Sequence, residues 1–193
     1  MQKSSGAPDH SELRRKCRAA RASLSVDERR SASLRIARKI TATAVFRSGK
    51  RVATYLPMPE EVDTWPLIGR AWRMKKRVFV PVLESESGMR FRELSPNSDL
   101  ATNAYGILEP RYGEYIRARE LDVVLTPVVA FDDRRHRIGM GGGYYDRTFA
   151  FLRHRSKFLR PKLIGLAFAC QQVEKITPNP WDIRLFRIYT ESS

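Results

Sequence analysis

Cysteine is scarce in this 193-residue chain, which has only Cys17 and Cys170, far apart. The pair makes no disulfide framework, no C-x-x-C redox motif and no zinc-ligand spacing, and this fits a reducing, cytoplasmic setting. Long apolar runs are missing too. None approaches the ~20 residues of a membrane helix, so no membrane partner is expected. Residues 1–9 are polar, lack the apolar core of a secretion signal and read as a disordered terminus. Repeats and low-complexity tracts are absent. The other shortage is acid: 21 Asp and Glu stand against 36 Lys and Arg, a net charge of +15. Residues 1–51 hold 14 of the basic residues and only 4 acidic ones. A basic arm of this kind suits nucleic acid. It suits equally a solvated helix face, or an electrostatic funnel for polyanionic small molecules.

Alternation of strand and helix patterns carries the fold. Asp9-His-Ser-Glu12 and Ser25-Val-Asp-Glu28 fit the capping pattern S/T/D-x-x-E. They predict a helix running to about Ala22 and a second running to about Phe46, with Leu34, Ala37, Ile40 and Ala44 inward. Arg51–Leu56 reads as a strand closed by Pro57 and Pro59, and Thr64 as the cap of a third helix with Pro66 in its first turn. Strands are predicted over Arg77–Leu83 and Met89–Leu94, followed by a loop from Ser95 to about Arg119. Leu121–Leu125 reads as a buried strand closed by Pro127, with Val128–Phe131 as its continuation. Tyr145, Phe149 and Leu152 recur at i, i+4 and i+7, one face of a helix. Leu163–Phe168 is an apolar strand leading to Cys170 as a core or core-edge thiol, and Ile188–Thr190 a short terminal strand. These elements predict an α/β fold, with residues 10–193 as a single domain. Its mainly parallel sheet is flanked by helices in a Rossmann-like three-layer arrangement, with an N-terminal helical segment. Ligands would bind outside the carboxyl ends of the strands.

The segment with most chemical content is Arg137-Ile-Gly-Met-Gly-Gly-Gly-Tyr-Tyr-Asp-Arg147, with four glycines at positions 139, 141, 142 and 143. A glycine-rich loop opening a helix collects unpaired N–H groups and the positive dipole end, suited to a phosphate chain. Asp146, in the first helical turn, is placed to face a metal held by those phosphates. The spacing matches neither the Walker A loop nor the dinucleotide fingerprint G-x-G-x-x-G. Taken alone, glycines are also the composition of an ordinary tight loop.

Arg-hydrophobic-Gly-x-Gly-x-Gly-Tyr-Tyr-Asp-Arg, with Phe131-Asp132 upstream, resembles the signature of the 5-formyltetrahydrofolate cyclo-ligases, also called methenyltetrahydrofolate synthetases. The resemblance extends over nearly the whole chain from about His10. It implies closure of 5-formyltetrahydrofolate, free or polyglutamylated, to 5,10-methenyltetrahydrofolate with ATP cleaved to ADP and phosphate, and Mg²⁺ accompanying the ATP. It also implies roles for individual residues. Arg14 matches the second member of a Lys-x-x-x-Arg pair that touches ATP phosphates, whereas the Lys position is His10. Glu61, in Glu61-Val-Asp-Thr64, matches a glutamate that reads the pterin ring, and a carboxylate suits the two adjacent donors on that ring's edge. Tyr105 matches an aromatic that packs on the folate, with Met89 beside it. Arg137 and Tyr144 are the candidate catalytic residues. Gly139, Met140, Gly141, Gly142, Gly143, Tyr144, Tyr145 and Asp146 would line ATP together with Arg14 and Arg137, and Asp146 would ligate the metal. Some members carry Arg and Lys where this chain has Met140 and Gly142, so backbone N–H groups and Arg137 would take more of the phosphate. Asp182 matches a terminal Asp and is expected to brace a loop. A second Asp of some members is Phe186 here.

Two other readings stand beside this one. A basic nucleic-acid-binding module would rest on the arm and show steep salt dependence. A phosphosugar isomerase or a CoA-transferase-like enzyme can share such a sheet, although no segment offers the transferase's carboxylate nucleophile.

Overall fold

The computed structural model describes residues 9–84, 88–103, 106–154 and 160–192. The reading of residues 1–9 as disordered therefore falls, apart from Asp9, outside the described residues, and so does Tyr105.

Helix α1 (His10–Ala22) buries Leu13, Cys17 and Arg21, a stripe at spacing four with an arginine at its inner end. Asp9 does not cap it, because its carboxylate accepts from the Ser11 hydroxyl instead. Helix α2 (Val26–Ala42) does open on a full capping box between Ser25 and Glu28. It ends earlier than expected. Thr43 adopts an extended conformation, with ψ 146°, and caps the short α3 (Ala44–Ser48) by accepting from the Phe46 N–H. The buried stripe is Ala32, Ser33, Ile36, Ala37 and Ile40. Leu34 lies outside it, and Ala44 is exposed.

Strand β1 (Arg51–Ala53) is only the start of the predicted one. It is followed by α4 (Trp65–Arg73), β2 (Arg77–Glu84) and β3 (Gly88–Leu94). The long loop contains β4 (Leu100–Thr102), β5 (Leu108–Pro110) and β6 (Tyr115–Ile116). Strand β7 (Val123–Pro127) stops at its proline. Residues 130 and 131 form β8 (Ala130–Phe131), which pairs with β9 (Arg137–Ile138) in a separate hairpin rather than continuing β7. Helix α5 (Tyr144–Thr148) is a single turn, continued by a 3₁₀ segment over Ala150–His154. Strands β10 (Lys162–Leu166) and β11 (Arg187–Tyr189) complete the sheet.

The main sheet has the order β11-β10-β7-β1-β2-β3-β6. Pairs from β11 to β2 are parallel, and β3 and β6 are antiparallel additions at one edge. Val123, Val124 and Leu125 in β7, like Val78, Phe79 and Val80 in β2, are buried on successive positions. Continuous apolar runs of this kind belong to parallel strands covered on both faces. One face packs Ile36, Ile40, Leu67 and Ile68 of α2 and α4, and the other packs Phe149 and Leu152 after α5. Removing such side chains from water contributes about 1.5–3 kcal/mol each. Cys170 is exposed at the end of this region, not in the core, and Cys17 is the buried thiol; both are free. No helix among the described residues is long and apolar enough to cross a membrane.

The chain winds outward from β1 in two directions, through β2 on one side and β7 on the other. That reversal opens a crevice at the strands' carboxyl ends, where open α/β sheets bind ligands.

Candidate active site

Two loops meet at this crevice. The first follows β1. The Thr64 hydroxyl donates to the Tyr55 carbonyl at 2.6 Å, and the Tyr55 hydroxyl donates to the Val62 carbonyl at 3.2 Å. The Asp63 N–H donates to Ser33 Oγ at 3.0 Å, tying the loop to α2. Thr64 is thus spent on the loop, and the first turn of α4 is capped by Asp63, which accepts from the Trp65 N–H at 2.9 Å. Within the loop, Glu61 N–H donates to the Met58 carbonyl at 2.9 Å and Glu61 Oε2 accepts from the Met58 N–H at 3.2 Å. This closed turn holds Glu61 half-buried. Burial pushes its carboxyl above the ordinary range, against the Met58 N–H and the positive charge of Arg21. Burial also raises the Tyr55 and Tyr145 hydroxyls, and in both cases the charge of Glu61 adds to it. Glu61 is therefore within electrostatic reach of a tyrosine on α5, more than eighty residues along the chain.

The second loop, residues 139–143, leaves β9 and enters α5. Gly141 and Gly143 have φ of 112° and 62°, backbone conformations that side chains seldom adopt. Gly143 is the N-cap of α5, so the chain turns into the helix through a left-handed residue. The N–H groups of residues 140–143 have no hydrogen-bond partner among the described residues. Arg14 reaches this loop from α1, donating through Nε to the Gly139 carbonyl at 2.9 Å. His10, one turn earlier, is directed elsewhere: its Nε2 lies 2.8 Å from the Thr177 carbonyl. Met140 is exposed, and Tyr144 packs against the α5-side core with the Arg147 guanidinium 4.9 Å from its ring centroid.

The hairpin beneath the loop is anchored by Asp132. Its fully buried carboxylate accepts from the His136 N–H and ring at 3.0 Å each, and from the Ile176 N–H and Arg134 at 3.1 Å each. Burial alone would raise this carboxyl. The His136 ring and the two N–H donors outweigh it and hold the group below the ordinary range.

Arg137 and Asp146 come together in a way the sequence does not announce. Arg137 is buried, with Nη2 2.7 Å from Asp146 Oδ1 and Nη1 2.6 Å from the Ile183 carbonyl. The Ile183 N–H donates to the same Asp146 Oδ1 at 2.9 Å. The knot locks the base of the loop to the C-terminal segment. It leaves Asp146 Oδ2 without a hydrogen-bond partner among the described residues. Asp182 precedes Ile183 and braces its own loop as expected, its Oδ2 accepting from the Asn179 N–H at 2.8 Å. Met89 is buried at the start of β3, in one apolar cluster with Tyr144 and Tyr145, and its N–H donates to Thr148 Oγ1 at 3.0 Å. The structure therefore gathers Arg14, Glu61, Met89, Arg137 and residues 139–146 at one end of the sheet.

Arg21 is the residue missed by sequence reasoning. It is 5% exposed, stands 3.6 Å from Glu60, and its Nε has no partner among the described residues. Its place in the i, i+4 stripe with Leu13 and Cys17 is the signal that would have marked it as inward.

Residues 7–191 match the model of the 5-formyltetrahydrofolate cyclo-ligase family. The chain is 41% identical over 145 residues to the 5-formyltetrahydrofolate cyclo-ligase of Escherichia coli K12, covering 73% of this chain and 78% of that protein. It is 34% identical over 181 residues to the protein of the same name from Haemophilus influenzae, covering 92% and 95% respectively. The solved structure of Aquifex aeolicus 5,10-methenyltetrahydrofolate synthetase matches with a TM-score of 0.81 at 32% identity, covering 95% of this chain and 90% of that one.

Proposed function

The chain belongs to the 5-formyltetrahydrofolate cyclo-ligase family, and from that premise we propose that it closes 5-formyltetrahydrofolate to 5,10-methenyltetrahydrofolate at the expense of ATP. In this reading the formyl oxygen attacks the γ-phosphorus and ADP departs. The resulting imidate phosphate has an electrophilic carbon, N10 attacks it with loss of its proton, and phosphate leaves as the ring closes. No covalent enzyme intermediate is needed. The protein must align oxygen with phosphorus, stabilise the transferring charge and hold N10 near the carbon.

Residues 139–143 offer their N–H groups to the phosphates, Arg14 adds positive charge at the same loop, and Glu61 takes the pterin edge. Tyr144 and the buried Arg137 shape the reacting end, Arg137 by holding the loop and Asp146 in place. Mg²⁺ bound with ATP would supply neutralisation of charge on the phosphoryl group. The donor set suits it: Asp146 has an oxygen without a hydrogen-bond partner among the described residues. No described cluster of three or more His, Cys, Asp or Glu forms a cage. A cation arriving with the nucleotide needs only one or two carboxylates, because phosphates and water complete its shell. Tyr105, with Met89, is assigned to the folate ring on the family resemblance. Residues 10–193 act as one catalytic domain, and the free thiols Cys17 and Cys170 suit a cytoplasmic protein.

The observation that carries the proposal is convergence: Tyr145 lies within electrostatic reach of both Glu61 and Arg137. This supports reading Glu61 as the pterin carboxylate of a site shared with the phosphate loop. The test is the absorbance of methenyltetrahydrofolate appearing from 5-formyltetrahydrofolate. Product is expected only with both ATP and Mg²⁺, and product without ATP, or none with it, refutes the proposal.

A further inference from the structure

Arg21 carries a buried charge that the proposed reaction does not use. It lies seven residues after Arg14, on the inward stripe of α1 with Leu13 and Cys17, and is 5% exposed. Taking a guanidinium out of water is costly unless a close, well-bonded partner repays it. Its ion partner does not. Glu60 Oε2 stands 3.6 Å from Arg21 Nη2, beyond a good hydrogen bond, and the Glu60 side chain is half in water. Such a pair contributes little. Arg21 Nε has no hydrogen-bond partner among the described residues. Stability therefore does not account for a cation at this position.

Its location does. Seven residues make about two helical turns, so one face of α1 touches both loops of the crevice. Arg14 bonds the Gly139 carbonyl at 2.9 Å, and Arg21 lies against Glu60, the neighbour of Glu61. Glu61 is closed into its turn by the Met58 N–H at 3.2 Å. Burial favours its neutral form, and Arg21 is the positive charge that opposes this. The other groups nearby give no such help. Tyr55 beneath the loop and Tyr145 from α5 are kept neutral by burial, and Asp63 and Glu60 are acids of the same loop. Arg137 reaches Tyr145 but is already paired with Asp146. Arg21 also faces Cys170, whose thiol burial keeps protonated. A carboxyl that accepts from two donors on the pterin edge must be ionised, because its protonated form sets a donor against one of them.

We propose that Arg21 is a positioning residue for folate recognition, whose buried charge, set against Glu60 at the end of α1, keeps the neighbouring Glu61 carboxylate available as a two-oxygen acceptor. The inference rests on the folate reading above and adds to it a residue from another element that need not touch the substrate.

The experiment follows folate KM from about pH 5 to about pH 8.5 in the unmodified protein, Arg21→Met, Glu61→Gln and the double variant Arg21→Met/Glu61→Gln. Methionine keeps an apolar stem and removes the charge. In the unmodified protein KM should climb as pH falls through the titration of Glu61. Without Arg21 the carboxyl loses a cation that favours its charged form, so in Arg21→Met the climb should begin at higher pH. On the acid limb KM should be about tenfold larger, the lower end of what one neighbouring charge does to a carboxyl, and at the alkaline end it should return to the unmodified value. The kcat and the ATP KM should stay unchanged. Tm should hold or rise, because an apolar side chain replaces a poorly paired buried charge. The double variant should match Glu61→Gln at every pH, with no limb. A limb in its original place, a KM raised equally at all pH, or a double variant worse than Glu61→Gln would overturn the assignment. The last two results would show that Arg21 only supports the shape of the loop. Should Arg21→Met fail to fold, Arg21→Gln carries the same expectations for KM, kcat and pH. An unmoved limb with normal turnover sinks this inference alone. If the unmodified protein turns over no folate at all, the proposed function falls and this inference falls with it.

Discussion

Asp146→Asn separates two roles that one carboxylate is asked to fill. Asparagine preserves the size and one acceptor but removes the charge facing Arg137, which is only 9% exposed and lies 2.7 Å away. A charge-assisted hydrogen bond contributes about 1.5–3 kcal/mol and a neutral one about 0.5–1.5, so the direct loss is about 1–2 kcal/mol. Stranding one member of a buried pair costs up to about 3–5 kcal/mol. Arg137 keeps the Ile183 carbonyl at 2.6 Å, which holds the total near the lower end, about 2 kcal/mol. For a chain of this length that is a fall in Tm of about 4–8 °C by calorimetry. The same variant should also need more Mg²⁺ to reach half-maximal rate, because a hard anionic oxygen is gone.

The double variant Arg137→Gln/Asp146→Asn then divides the effects. Two neutral amides can hydrogen-bond without a stranded charge, so stability should recover to within about 1 kcal/mol of the unmodified protein. The Mg²⁺ and ATP requirements should stay impaired. A double variant with ordinary ATP kinetics would show that Asp146 is purely a brace. A single variant with unchanged Tm would show that the buried pair contributes nothing, and the energetic argument would fail.

Three further outcomes are expected. Glu61→Gln should raise the folate KM and leave ATP binding intact, because one acceptor becomes a donor facing a donor; equal loss of both affinities by calorimetry would make Glu61 a structural residue. In the unmodified protein the folate KM should also climb as pH falls through the raised pKa of Glu61, above its ordinary 4.5, and this limb should vanish in the variant. Arg14→Ala removes a bond to the Gly139 carbonyl and a charge near the phosphates, so ATP KM should rise about tenfold with folate KM unchanged; unaltered ATP kinetics would dismiss the contact. Asp132, held below its ordinary 3.8, contributes stability that is present above that value and lost as pH falls through the lowered pKa. Urea titrations between pH 5 and 2 should show this slope, and a slope unchanged in Asp132→Asn would contradict it.

Much of the scaffold was legible because its signals are local. The Ser25–Glu28 box, the apolar runs of β2 and β7 and the glycine loop each sit within a few residues of the structure they dictate. The misreadings share a cause: an apolar or helical period overridden by a competing pairing, turn or cap. Val128–Phe131 continues the apolar run of β7, yet residues 130 and 131 pair with 138 and 137, diverting the chain into the hairpin that carries the loop. Phe149 and Leu152 keep the helical period, but α5 ends at Phe149 and Leu152 is buried from the 3₁₀ segment that follows, whose tighter turn also brings it to the sheet. Thr43 breaks α2 because its hydroxyl can cap a new helix. At the candidate site, the family resemblance pointed to Glu61, and the glycine run pointed to the loop that enters α5. The knot of Arg137, Asp146 and Ile183 could not be read, because Ile183 contributes only backbone atoms, forty-six residues from Arg137.

The basic first quarter of the chain illustrates the same limit, and it bears on the nucleic-acid reading. A surface built for duplex DNA presents its cations along one face, each adding a similar increment to the salt slope. The cations here are directed to different tasks. Arg14 bonds the glycine loop, Arg21 is buried beside Glu60, and Arg29 donates to the Leu24 carbonyl. Lys39 ties α2 to the Thr190 and Glu191 carbonyls, and Arg51 stands 3.8 Å from Asp122 at the amino end of the sheet. Charge that counts as one arm in the sequence is thus divided between the ends of the sheet, and five of its fourteen cations bond carbonyls or carboxylates. Exposed Arg15, Lys16 and Arg18 stay on α1 beside Arg14, whereas exposed Arg30 and Arg35 lie on a helix packed against the face opposite α5. Screening confines the reach of those charges to about 8 Å at physiological salt. The candidate site therefore draws its positive potential from α1 and the loop N–H groups, and the net charge of the whole arm is a poor guide to what the protein binds.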